Sequence, residues 1–185
     1  MPPIALFGIQ FTLALVAYAL IAWWYVSPRL AGLRPESALV PLVWVHAFRI
    51  IGGTILAPGA VDAAVPVEFR TMIGLGDIAT AVLALVALLA LRYRVSWALA
   101  SVWVVLVVGL LDTVNAIIQS MRFSVFDHAL GVNWVIVTMY VPALLVSSVL
   151  IFIQLRRRNA SAAGQTYLMA TKVTMPSSLV AGRPV

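Results

Sequence analysis

His46 and Arg49 stand three residues apart in VWVHAFRIIGG, residues 43–53, inside an otherwise apolar run, and Gly53 continues their helical face at i+7 from His46. Two further ionisable groups share that setting: Asp77 in MIGLGDIATAVLAL and Asp112 in VGLLDTVNAIIQ. A guanidinium among apolar neighbours offers a permanent positive charge and five N–H donors, which suit a carboxylate, a phosphate or a carbonyl. Carboxyl groups and an imidazole close together are the groups that carry protons in general acid–base chemistry. The charges do not balance, because two carboxylates face one deep arginine; a proton, a charged His46 or a ligand has to complete the set.

Amides and hydroxyls add to this layer. Gly109, Asp112, Asn115, Ala116 and Gln119 share one helical face by their three- and four-residue spacings. Gln10 lies at similar depth in the first apolar segment, and Thr138 and Tyr140 in the last. The plainest role for Arg49 with Asp77 or Asp112 is a buried ion pair that locks helices together. Asn115 and Gln119 can serve as interhelical hydrogen-bond partners, and His46 can be a neutral core histidine bonded to a backbone carbonyl.

The elements that must hold these groups are membrane helices. Of 185 residues, 63% are hydrophobic and only 10% charged, and the mean hydropathy is +1.07. Soluble domains carry about 25% charged residues. Apolar runs near the length needed for a crossing, about 20 residues, recur five times, at 4–26, 38–57, 71–91, 95–118 and 133–154. The expected fold is therefore an all-α, polytopic bundle of five transmembrane helices over residues 1–158, followed by a flexible cytoplasmic tail, 159–185. The first apolar run lacks a basic leader and stays apolar through Trp23 and Trp24, so it reads as an uncleaved span. Pro28 is expected to stop the first helix, Pro41 to sit in the first turn of the second, and Pro142 to bend the fifth.

Five crossings place the chain ends on opposite sides. Arg29, Arg34, Arg92, Arg94 and Arg156–Arg158 flank the spans on one side, against Arg70 and Arg122 on the other. The positive-inside rule then puts the N-terminus outside and the C-terminus in the cytoplasm, in a bacterial plasma membrane. The net charge of +6 belongs to these flanks. It calls for anionic lipid as the partner of the Arg156–Arg158 cluster and not for nucleic acid.

In that orientation the polar residues gather in the outer half of the bundle, while the inner half is nearly all Leu, Val and Ala. Such asymmetry argues against a channel, which needs a wetted path through both halves. The leading expectation is an outward-facing polar pocket for a small or amphipathic, lipid-like ligand. Arg49, Asn115, Gln119, Gln10 and Tyr140 would bind it. A catalytic alternative is an acid–base isomerase or cyclase acting on an isoprenoid-like lipid, with Asp77, Asp112 and His46 carrying protons. A third reading is a noncatalytic accessory or assembly subunit, as a homodimer or within a larger membrane complex. No cofactor or metal is expected. Haem or metal ligation through His46 would need His128 to join it, with loop 119–132 folded back over the mouth.

Overall fold

The computed structural model describes the backbone of residues 1–174 and the side chains of residues 1–158. Among the described residues the chain is helical with no strand, and five helices are long and apolar enough to cross a membrane. They are α1 (Pro3–Ala31), α2 (Pro35–Leu56), α3 (Val67–Tyr93), α4 (Ala98–Arg122) and α5 (Val132–Arg158). Each extends beyond its hydropathic core, because backbone hydrogen bonding does not stop where side chains become charged. Helical backbone continues from α5 through Thr174, into the segment expected from sequence as a tail; residues 175–185 of that tail lie outside the described residues.

Proline organises several helix ends. Pro3 and Pro35 occupy first-turn positions, where a missing N–H costs nothing, whereas Pro41, expected in the first turn of the second helix, lies inside it because the helix already starts at Pro35. Pro66 precedes α3 in an extended conformation. Pro28 does not stop the first helix, contrary to the sequence expectation: α-helix resumes over Ser27–Ala31. The reason lies just upstream, where Ala22–Val26 forms a wide π-helical turn and Ser27 N–H reaches back five residues to the Ala22 carbonyl. Such a turn makes room for a ring that would otherwise strike the carbonyl four residues before it. The same device recurs in α5, where the π-turn Ile136–Tyr140 ends two residues before Pro142 and Val141 N–H bonds the Ile136 carbonyl.

Two apolar clusters fill the bundle. At the end carrying most of the arginines, Leu39, Val43, Ala84, Ala87, Val102 and Ile151 form a close-packed core. In a bilayer the lipid chains would be as apolar as these side chains, so close backbone approach and van der Waals contact, helped by the small alanines, would hold the helices. At the opposite end, Ile55, Val65, Phe69, Val125, Phe126 and Leu130 form a second cluster with Phe7 and Trp134 against it. Residues 57–66 and 123–131 close that end. Asp62 N–H donates to the Ala129 carbonyl at 2.8 Å, and Asn133 Nδ2 donates to the Ala60 carbonyl at 3.2 Å.

Within its most apolar stretch α2 is 44% buried and α1 only 6%. The second helix is thus the centre of the bundle and the first its flank.

The turn between α3 and α4 is a Schellman motif: Val95 N–H bonds the Ala90 carbonyl and Arg94 N–H the Leu91 carbonyl. Arg94 takes the left-handed position, φ 53°, which normally belongs to glycine and costs any other residue about 1 kcal/mol.

Candidate functional site

The site begins with a change of helix type. From Pro35 to Ala47 the second helix is α; from Phe48 to Leu56 it is a 3-10 helix. In a 3-10 helix residues three apart eclipse one another. Arg49, Gly52 and Ile55 are accordingly its buried residues, and His46 continues the same row. The sequence, read as a continuous α-helix, pointed to Gly53 at i+7 from His46. The tighter winding turns Gly52 inward and leaves Gly53 against Ile78. A nine-residue 3-10 run is long, and GGT, with its poor helix propensity, falls within it. Because the rise is about 2.0 Å per residue against about 1.5 Å, this segment reaches about 4 Å further than an α-helix of equal length.

Arg49 joins three helices. Its Nε donates to Asp77 Oδ1 of α3 at 2.5 Å, its Nη2 to Asp112 Oδ2 of α4 at 2.5 Å, and its Nη1 to the Gly109 carbonyl at 2.9 Å. The arginine is 4% exposed and each aspartate 15%. Two formal negative charges thus share one positive charge.

Glycines make the approach possible. A Cβ on Gly52 would lie 1.8 Å from Asp77 Oδ2, and one on Gly76 would lie 2.1 Å from Asp112 Oδ1. Both distances are impossible for real atoms, so each carboxylate occupies space that only a glycine leaves open. His46 adjoins the same cluster: a Cβ on Gly109 would be 3.5 Å from Arg49 Nη1 and 3.6 Å from His46 Nδ1. The ring is 1% exposed, and neither of its nitrogens has a hydrogen-bond partner among the described residues.

Where α2 changes from i−4 to i−3 acceptors, a helix generally leaves a carbonyl over. Here the Val45 carbonyl accepts the hydroxyl of Tyr140 from α5. Ser147 Oγ donates to the Leu42 carbonyl one turn earlier, at 3.0 Å. The last helix is thereby tied to the second at two carbonyls, one immediately before His46 and one a turn earlier.

Beside the charge cluster is a cavity of about 100 Å³. Arg49, Gly52 and Asp77 border it, together with Tyr140, Thr113 and Asn133. Its remaining walls are largely aliphatic and aromatic, with Phe7, Phe69, Phe126, Ile73 and Leu144 among them. The loop after α4 does fold back onto the bundle, and it contributes Val125, Phe126 and Leu130 to the walls.

Among the residues singled out from sequence, Arg49, Asp77 and Tyr140 line this cavity, while Asp112 and His46 stand behind Arg49 and do not. The three amides lie elsewhere. Gln10 accepts a hydrogen bond from Trp134 Nε1 at 2.6 Å. Asn115 Nδ2 approaches the Met72 sulfur at 3.6 Å, and Gln119 Nε2 reaches Asn115 Oδ1 at 3.5 Å. Among the described residues no three His, Asp or Glu side chains gather as a metal site would require.

Sequence reasoning missed Asn133, which accepts from Thr54 Oγ1 at 3.1 Å while donating to the Ala60 carbonyl. The signal available was a lone amide at the start of an apolar span. It also missed Thr113, one residue beyond the singled-out Asp112, whose hydroxyl shares the Gly109 carbonyl with Arg49.

Neither the curated proteins nor the solved structures compared with the chain show a match. One family spans nearly all of the bundle, from residue 6 to residue 156, and the chain belongs to it: the family described as a domain of unknown function, DUF8737.

Proposed function

We propose that this is an integral membrane protein whose cavity takes one small amphipathic molecule, or one end of a lipid-like molecule, with its polar group on Arg49 and Asp77. The observation that carries this reading is the composition of the cavity wall, aliphatic and aromatic with a charged border at Arg49 and Asp77. Apolar pockets with a few placed polar groups are the usual form of small-molecule sites.

Size narrows the ligand class. Drug-sized ligands occupy about 300–1,000 Å³, whereas an engineered cavity of about 150 Å³ holds benzene. A space of about 100 Å³ admits a short branched hydrocarbon unit or a small polar head and excludes a whole lipid. By the positive-inside rule the cavity faces the outer leaflet of a bacterial plasma membrane, N-terminus outside, since Arg29, Arg34, Arg92, Arg94 and Arg156–Arg158 flank the opposite ends of the spans.

The test is native mass spectrometry on purified full chain, wild type beside Arg49→Ala and Ala116→Leu. Ala116 lines the cavity without joining the ion pairs, so the larger side chain occupies the space and leaves the charges alone. A defined small molecule retained by wild type and lost from well-folded Ala116→Leu is the expected result. An empty wild type, or equal retention by Ala116→Leu, rejects the reading.

A second reading rests on Arg49 engaging both carboxylates at once. In it the cluster is a clamp between helices of an accessory subunit, and Arg49→Ala lowers the amount of folded protein without changing any occupancy. The acid–base isomerase reading uses the same residues and separates by substitution: Asp77→Asn would preserve binding but abolish turnover of an isoprenoid-like lipid.

A further inference from the structure

The far end of the bundle holds a second site of different character. A groove of about 640 Å³ lies between the start of α2, the end of α3 and the start of α4. Arg34, Arg92, Arg94 and Arg158 line it, against a single carboxylate, Glu36. Arg158 Nε meets Glu36 at 3.4 Å. The side chains of Arg34, Arg92 and Arg94 form no hydrogen bond or ion pair with any described residue. Two connections far apart in sequence therefore bring three free guanidiniums to one depression.

The rest of the lining is apolar. Val40, Leu91, Val95 and Leu99 lie beside the arginines, with Ser37 and Ser96 between. A soluble anion would leave that apolar surface uncovered, and a nucleic acid backbone would have nothing to place on it. A phospholipid matches both parts, because its phosphate and its acyl chains are joined at the depth where a membrane helix ends. The charge surplus selects among phospholipids: with Glu36 answered by Arg158, more than one guanidinium is left for the headgroup.

Arg94 adds a separate observation. It holds the left-handed position of the Schellman turn, φ 53°, where glycine would be unstrained, so its side chain comes to the groove at a backbone cost.

We propose that this groove binds an anionic phospholipid whose headgroup carries two negative charges, its phosphates on Arg34, Arg92 and Arg94 and its chains along Val40, Leu91 and Leu99.

Full chain reconstituted in phosphatidylcholine bilayers with equal minor fractions of cardiolipin and phosphatidylglycerol, then extracted and examined by native mass spectrometry, tests this. Wild type retains cardiolipin over both phosphatidylglycerol and phosphatidylcholine; equal retention of phosphatidylglycerol overturns the two-charge assignment. Arg34→Gln with Arg92→Gln reduces that retention by about tenfold or more. Arg29→Gln serves as the control, because Arg29 lies at the same end but outside the groove and donates to the Tyr25 carbonyl; it leaves retention unchanged. Arg94→Gly has opposite effects on its two readouts: it lowers lipid retention but raises the melting temperature measured in lipid-free detergent. Equal loss in Arg29→Gln would reduce the effect to general surface charge and overturn the site. So would full retention by Arg94→Gly. Displacement of the lipid by millimolar inorganic phosphate overturns the lipid assignment in favour of a free anion.

Discussion

The two halves of the bundle are built on opposite terms. In the arginine-flanked half, Ala84, Ala87, Val43, Val102 and Val105 are wholly buried, and among the described residues no ionisable side chain belongs to that core. In the other half α2 winds into a 3-10 helix, an arginine is inserted between two carboxylates, and a cavity remains beside them. Close contact dominates the first half; in the second, ion pairs are added to it. The difference teaches where a membrane bundle can keep a void: helices pinned at a few points by charge need not fill the space between.

Removing a pin should therefore cost most. Arg49→Met leaves two buried carboxylates without their partner and should destabilise by about 3–5 kcal/mol, measured by reversible unfolding in mixed micelles. A loss below about 1 kcal/mol would mean the ion pairs contribute little net stability. Next comes Gly76→Ala, whose new Cβ would fall 2.1 Å from Asp112 Oδ1. The carboxylate has to leave its seat, and a loss of about 2–4 kcal/mol is expected. Arg49→Met combined with Gly76→Ala should then lose little more than Arg49→Met alone, because both act on the same bond.

The comparison sharpens with one substitution placed in both halves. Ala84→Leu overpacks the closed core and should destabilise by about 1–3 kcal/mol. Ala116→Leu fills existing space and should stabilise by about 1 kcal/mol. Thermal melts with the same sign at both positions would show that the cavity is not free to be filled. The smallest effect belongs to the ties on α2. Ser147→Ala removes the bond to the Leu42 carbonyl and should cost about 0.6 kcal/mol, the average for such bonds in membranes.

Much of the scaffold was legible in the sequence, because long apolar runs are hard to mistake. The charge cluster was legible for the related reason that Arg49, Asp77 and Asp112 stand out among apolar neighbours. The face presented by α2 was not. Hydropathy does not register a switch from α to 3-10 winding, so Gly53 was expected where Gly52 stands. The amides were legible only as polar groups that need partners. For Asn115 and Gln119 both a ligand and an interhelical bond were open; within the chain Gln10 engages Trp134, Asn115 approaches Met72 and Gln119 reaches Asn115. A polar side chain in a membrane needs a partner, and composition does not say whether that partner is protein or ligand. Pro28 was expected to end a helix because the rule for proline assumes that the preceding turn is α.

The π-turn before Pro142 has a consequence for how this chain tolerates insertions and deletions. On α5 the buried positions step from Asn133 to Thr138, five residues, and then to Pro142, four residues on. The helix is in effect two α-helical phases spliced with one residue to spare. Deleting a single residue between Ile136 and Tyr140 would leave a helix still long enough to cross a membrane, but it would rotate Asn133 by about 100° relative to Ser147. The loop closure and the tie to α2 could not then both be made. In this helix a one-residue deletion would be a mutation of phase more than of length.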